Sequence, residues 1–341
     1  MTTTTTKPAP APPAPPKEPD QPATAAGRVR RRLTNRTASL VAVVIAIMWT
    51  IPTFGLFVSS FRPANDLRQT GWWTLFGPEG GGNWFAIWNW KLFQNPGFSL
   101  ANYNDVLVEG ELGSYFINSI VITIPSVLFP VAFAAMAAYA LSWISFRGRD
   151  WIFIGIFALQ IVPLQMALVP LLTFFSRGLS IGGATIELPF ESLGYNDDTA
   201  GFTRVWIAHT MFALPLSVFL LHNFMSELPK DLFEAARMDG ATHPKIFRRI
   251  VLPLIVPALA SLAIFQFLWV WNDLLVALIF SGGTEETAPI TQRLAAMAGT
   301  RGGEWQRLTA GAFVAIVVPL IVFLSLQRYF VRGLLAGSVK G

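Results

Sequence analysis

The sequence predicts an all-α, polytopic membrane protein with six transmembrane helices, and three observations carry that prediction. Charged residues make up 13% of the 341 residues, about half of the roughly 25% found in ordinary soluble domains. Six stretches without Asp, Glu, Lys or Arg occur at residues 37–61, 112–146, 151–176, 205–226, 250–272 and 308–327, and each reaches the ~20 residues that cross a bilayer core about 30 Å thick. Their Leu, Ile, Val, Ala and Phe follow no strict alternation. Helices therefore fit, and the shorter alternating strands of a barrel do not.

In chain order, residues 1–36 read as a disordered tail. The first 27 hold eight prolines and no aromatic or large aliphatic side chain beyond Met1, too little apolar surface to fold. The cluster Arg28, Arg30, Arg31, Arg32 and Arg36 then abuts the first span, 38–61, where it can meet anionic membrane lipid. That span starts too late and runs too long for a cleaved signal core. Between it and the second span, 116–143, lies an outer segment in which Trp72, Trp73, Trp84, Trp88 and Trp90 recur between glycines. Such rings favour the headgroup zone, and an interfacial or re-entrant segment, a partner-docking surface and a sugar-stacking patch all remain open for it. The remaining spans are expected at 151–175, 205–225, 253–280 and 308–328. Prolines 125, 130, 163, 170, 215, 257 and 319 should kink them, at a cost that neighbouring helices offset.

The distribution of charge sets the orientation. With six spans, one side receives the tail, the 147–150 turn, the 227–249 loop and the C-terminus, with 17 basic and 7 acidic residues; the other side holds 8 basic and 12 acidic. Lys and Arg near spans mark the cytoplasmic face, so both termini are expected there. The overall excess of positive charge follows from this topology and implies no nucleic-acid partner.

Little of the sequence suits catalysis. Without cysteine, disulfides, thiolate zinc sites and Fe-S ligation are excluded. The three histidines, His209, His222 and His243, lack metal-ligand spacing. No Lys precedes Ser or Thr, so a phosphate-cradling P-loop is absent. Neither a catalytic residue, a metal site nor a bound cofactor is expected of this chain.

The 147–150 turn shows how short a connection can be, yet the 227–249 loop has 23 residues. Pro229, Asp231 and Glu234 suit a helix start, and Ala235 and Ala236 have strong helix propensity. Gly240 supplies a left-handed stop and Thr242 can cap a second helix leading into the fifth span. Leu232, Ala235 and Ala236 share a face by i, i+3, i+4 spacing. A helix of about ten residues beneath the membrane is well shaped for a cleft on a cytoplasmic partner; the competing reading is an amphipathic helix resting on the membrane surface.

Glu234-Ala235-Ala236, three residues ending in Asp239, Gly240, nine residues, Ile250, one residue and Leu252-Pro253 resemble in full the EAA motif of permease subunits of bacterial binding-protein-dependent ABC importers. The stretches from Asn118 through Tyr139 to Arg149, at Trp271-Asn272-Asp273, from Gln327 to Gly333 and from Ser338 to Gly341 resemble the carbohydrate branch, in particular the second maltose-type permease. The tryptophan-rich segment looks like an alpha-glucoside subgroup. The resemblance covers residues 38–341 and implies a cytoplasmic coupling helix seated in a groove of a separate ATPase. Glu234 would pair with a basic group there, Ala235 and Ala236 would permit close docking, and Gly240 would form the elbow. The implied partners are a homologous second permease, two ATP-binding subunits carrying ATP and Mg, and an extracytoplasmic sugar-binding protein. The C-terminal tail would reach the ATPase pair, and the 285–307 loop would touch the binding protein.

Near the outer end of the fifth span, Trp269, Trp271, Asn272 and Asp273 are candidates for a substrate path or outer gate, because an intramembrane acid is costly and indole and amide groups can stack on or bond to sugars. Helix capping and packing are the competing roles. A secondary sugar transporter or channel without an ATPase would normally show coupling-ion residues in mid-span, and a membrane-embedded enzyme would need clustered carboxylates or a metal constellation.

Overall fold

A computed structural model describes residues 36–78, 83–94, 97–110, 112–181, 184–186, 200–282, 285–298 and 304–336. The proline-rich tail, all of its arginine cluster except Arg36, and the tail at 338–341 lie outside the described residues. By packing, the chain divides into residues 53–339 and a second unit of residues 1–52 with 340–341. The described part of the latter is the opening of helix α1 (Arg36–Ser60), where Leu40, Ile45 and Trp49 are exposed.

The described residues of the larger unit are mostly helical. After α1 come α2 (Leu112–Trp143), α3 (Arg149–Ala158), α4 (Leu164–Arg177), α5 (Ala200–Ser226), α6 (Lys230–Met238), α7 (His243–Ile246), α8 (Leu252–Trp271), α9 (Leu275–Phe280), α10 (Ile290–Ala298) and α11 (Trp305–Ala336). Among the described residues, five helices are long and apolar enough to cross a membrane, and a bent pair makes a sixth if taken as one span. The fold is thus the all-α polytopic bundle that composition requires, with one small departure. Strands β1 (Leu179–Ile181) and β2 (Ala184–Ile186) form an antiparallel hairpin after α4.

Two spans differ from continuous helices. The stretch expected at 151–175 runs through α3 and a 3-10 turn at Leu159–Ile161, then turns by 103° into α4. The turn falls at Val162-Pro163, where Val162 is extended. Pro163 cannot donate to the preceding turn and disfavours helical geometry in Val162. The stretch expected at 253–280 divides into α8 and α9 around Asn272, Asp273 and Leu274.

The most extensive helix pairing joins α2 to α5. Ala134, Ala135 and Ala138 of α2 are buried, and such small side chains let helices approach closely where lipid offers no hydrophobic contrast. They belong to a cluster that continues through Val218, Leu221 and Met225 of α5 and Ile255 and Leu262 of α8. This cluster lies beneath α6, and it fixes that helix to the bundle.

At the opposite end of α2, the connecting segments are tied down by polar groups. Asn118 donates to the carbonyls of Glu286 and Ala288 at 2.9 and 3.1 Å, and the Ser119 hydroxyl accepts from the Ile290 amide. Beside the end of α1, Asn102 donates to the carbonyls of Ser60 and Arg62. The Arg62 guanidinium is fully buried and donates to the Thr70 hydroxyl at 2.6 Å. Burial lowers its pKa, an effect opposed by Asp66. Among the described residues of the tryptophan-rich segment are short helical turns, Trp72–Phe76, Ile87–Asn89 and Lys91–Gln94. Trp72 packs edge-on against Phe54, whereas Trp73, Trp84 and Trp88 are exposed.

Candidate functional site

The 227–249 loop folds as a helix, an elbow and a second short helix. Pro229 precedes α6, whose first turn holds Asp231. Its end is a complete Schellman closure: the Ala241 amide donates to the Ala236 carbonyl at 2.9 Å and the Gly240 amide to the Arg237 carbonyl at 3.0 Å. Gly240 takes φ +71°, a conformation that glycine adopts without steric cost. Thr242 occupies the N-cap position of α7, although its hydroxyl makes no capping bond. A π-type turn, Phe247–Val251, joins α7 to α8 just before Pro253, the residue that cannot donate to the helical ladder.

The face that α6 buries differs from the one its spacing suggests. Phe233 and Ala236 are the buried pair, at 2% and 7% exposure, while Leu232, Glu234 and Ala235 are exposed. The large ring decides the rotation. Phe233 stacks on Trp143 at the end of α2, with centroids 3.5 Å apart and planes within 12°, an arrangement worth about 0.5–1.5 kcal/mol beyond area burial. Ala236 thus permits a close approach to the chain's own core, and Glu234 and Ala235 form the outward surface together with Met238 and Asp239. Of the remaining motif positions, Ile250 and Leu252 are half-buried and Pro253 is exposed.

Three further contacts surround the end of α2, one to α5 and two to this loop. The Trp143 indole donates to the Met225 carbonyl at 3.1 Å, Arg237 donates to the Trp143 carbonyl at 3.4 Å, and the Tyr139 hydroxyl lies 2.9 Å from Nδ1 of His243. No motif reading singles out Trp143. Its only sequence signal is an indole donor in the last turn of a long apolar run, opposite a loop that also carries an aromatic ring.

The outer candidates do not form one group. Trp271 is buried, donates to the Ala315 carbonyl and packs between Phe116 and Phe267. Asn272 is exposed and bonds the Leu268 carbonyl. The Asp273 carboxylate accepts from the Val276 and Ala277 amides at the start of α9 and lies 3.7 Å from Nε2 of His209. This is the geometry of a helix cap. Trp269 faces a cleft of about 410 Å³ that it lines with Gln160, Pro163, Met211 and Phe212 at the break between α3 and α4. Among the described residues no group of three His, Asp or Glu side chains could hold a metal.

This geometry is that of a polytopic helical membrane protein, and comparison with known proteins gives its class. Residues 130–335 match the model of the family described as "Binding-protein-dependent transport system inner membrane component". The chain belongs to that family, as a multi-pass inner-membrane permease component of an ABC importer and not an enzyme. It is 46% identical over 301 residues, 88% of its length and 91% of the relative's, to the osmoprotective compounds uptake permease protein GgtD of Synechocystis sp.. It is 36% identical to the alpha-glucoside transport system permease protein AglG of Rhizobium meliloti, over 92% of this chain and 99% of that one. The fold resembles a chain of a bacterial ABC transporter that imports the acidic polysaccharide alginate, with TM-score 0.62, 19% identity, and coverage of 90% of this chain and 98% of the other.

Proposed function

We propose that this chain forms half of the translocation path of an ATP-driven, binding-protein-dependent sugar importer and docks a cytoplasmic ATPase through α6. The observation that carries this reading is the division of α6 into two faces. Phe233 and Ala236 hold the helix to the bundle, while Glu234 and Ala235 stand exposed beside the Gly240 elbow. In this reading Glu234, Ala235, Ala236, Asp239, Gly240, Ile250, Leu252 and Pro253 make up the coupling element. ATP and Mg reside on two partner subunits, both termini are cytoplasmic, a homologous permease completes the path, and an extracytoplasmic binding protein delivers the sugar. Trp269, at the cleft, is the residue of the outer set best placed for a sugar ring. Alpha-linked glucosides are the proposed cargo, supported by the name of the Rhizobium relative and the tryptophan-rich outer segment.

Substitution Glu234→Lys or Gly240→Asp should leave membrane insertion intact while abolishing the coupling of ATP hydrolysis to uptake. Normal uptake by both variants would refute the assignment. For the cargo, the binding protein that purifies with the complex should bind maltose or trehalose; binding of neither, with another class of solute bound instead, would overturn the alpha-glucoside reading.

A further inference from the structure

Chain connectivity links α6 only to α5 and α7, through residues 227–229 on one side and the Gly240 elbow on the other. Helix α2 ends almost ninety positions earlier in the sequence, yet its last turn makes the closest aromatic contact of the loop. Trp143 stacks on Phe233 of α6 and donates to the Met225 carbonyl in α5, and its own carbonyl accepts from Arg237 of α6. One turn earlier, Tyr139 bonds to His243 of α7 and packs on Phe247. The far end of the same helix holds the outer loop, through Asn118 to the carbonyls of Glu286 and Ala288 and through Ser119 to the Ile290 amide. A single helix thus touches both the coupling loop and the outer loop.

Resting on the function proposed above, we infer that Trp143 is a positioning residue that makes α2 the strut between the ATPase-docking helix and the outer 285–298 segment. A flat stack at 3.5 Å between the buried Phe233 ring and the half-buried Trp143 indole resists sliding, because interiors repack between discrete arrangements and do not deform continuously. Displacement of α6 must then carry the end of α2 with it. Without the indole, α6 would still reach its ATPase, but its motion would be taken up at the loop and lost to the outer end.

The cysteine-free chain allows a direct measurement on the whole importer complex. Spin labels at Met136→Cys on α2 and Lys230→Cys on α6, both exposed positions, should report one distance in the nucleotide-free and the vanadate-trapped complex when Trp143 is present. In Trp143→Ala that distance should shift or broaden on trapping, and sugar imported per ATP hydrolysed should fall about tenfold, within the usual range of coupling between sites. Trp143→Phe, which keeps a ring to stack, should restore both readouts. Trp143→Leu replaces the alanine variant if the latter does not fold. A merely structural tryptophan would lower the yield of complex and leave the ratio unchanged, and that result, or a label distance that changes on trapping with Trp143 in place, would overturn the inference alone. An unsubstituted complex without an ATPase would overturn the proposed function and this inference together.

Discussion

Gly201 and Gly240 show how differently two glycines constrain the same chain. Gly240 is set by its own backbone: φ is +71° and the space around it is open. The run of helix formers before it and a second helix start after it make that role legible in the sequence. Gly201 has an ordinary helical conformation, and its requirement is contact. A Cβ there would overlap the carbonyl group of Ser281, at the end of α9, which is eighty positions away and invisible to any local pattern. Gly201→Ala should therefore force α5 and α9 apart and destabilise the bundle by about 1–3 kcal/mol, the usual cost of overpacking. Thermal unfolding of the purified complex, followed by gel filtration, would measure this as a lowered midpoint; an unchanged midpoint would show that the two segments yield freely.

At the scale of the element, the sequence specified which segments are helical better than which way they face. Apolar runs placed the long helices, because membrane spans need length and hydrophobicity alone. The rotation of α6 was not available from spacing, since Leu232, Ala235 and Ala236 form as good a local stripe as Phe233 and Ala236. Trp143, on another helix, decides between them. The break at Val162-Pro163 was legible as a kink but not as a turn of 103°, because the angle depends on what packs around the proline. Similarly, Asn118 is one polar residue in an apolar run until the outer loop is seen to place two carbonyls on it. Asn118→Leu should leave those carbonyls without their donor, at about 1–3 kcal/mol for buried groups. Residues 285–298 should then exchange amide hydrogens faster while α5 and α8 keep their protection. Equal protection of the loop in both proteins would mean that Ser119 and packing suffice to hold it.

Across the whole molecule, the contacts of α2 sort the connecting segments into two sets that agree with the charge distribution. Its end at Trp143 meets the 227–249 loop and directly precedes the 147–150 turn, whereas its start meets residues 286–290. The first set belongs to the side with 17 basic and 7 acidic residues, the second to the side with 8 and 12. Helix packing alone cannot say which side is cytoplasmic; the bias of Lys and Arg supplies that. If the basic side faces the cytoplasm, as coupling to a cytoplasmic ATPase demands, then single cysteines in this cysteine-free chain should separate cleanly. An impermeant maleimide added to intact spheroplasts should label Phe85→Cys, an exposed position in the outer tryptophan-rich segment, and should label Lys230→Cys on α6 only after the membrane is opened. The reverse pattern would place α6 outside, where no ATPase could reach it, and the exposed Glu234 and Ala235 would then need a different partner.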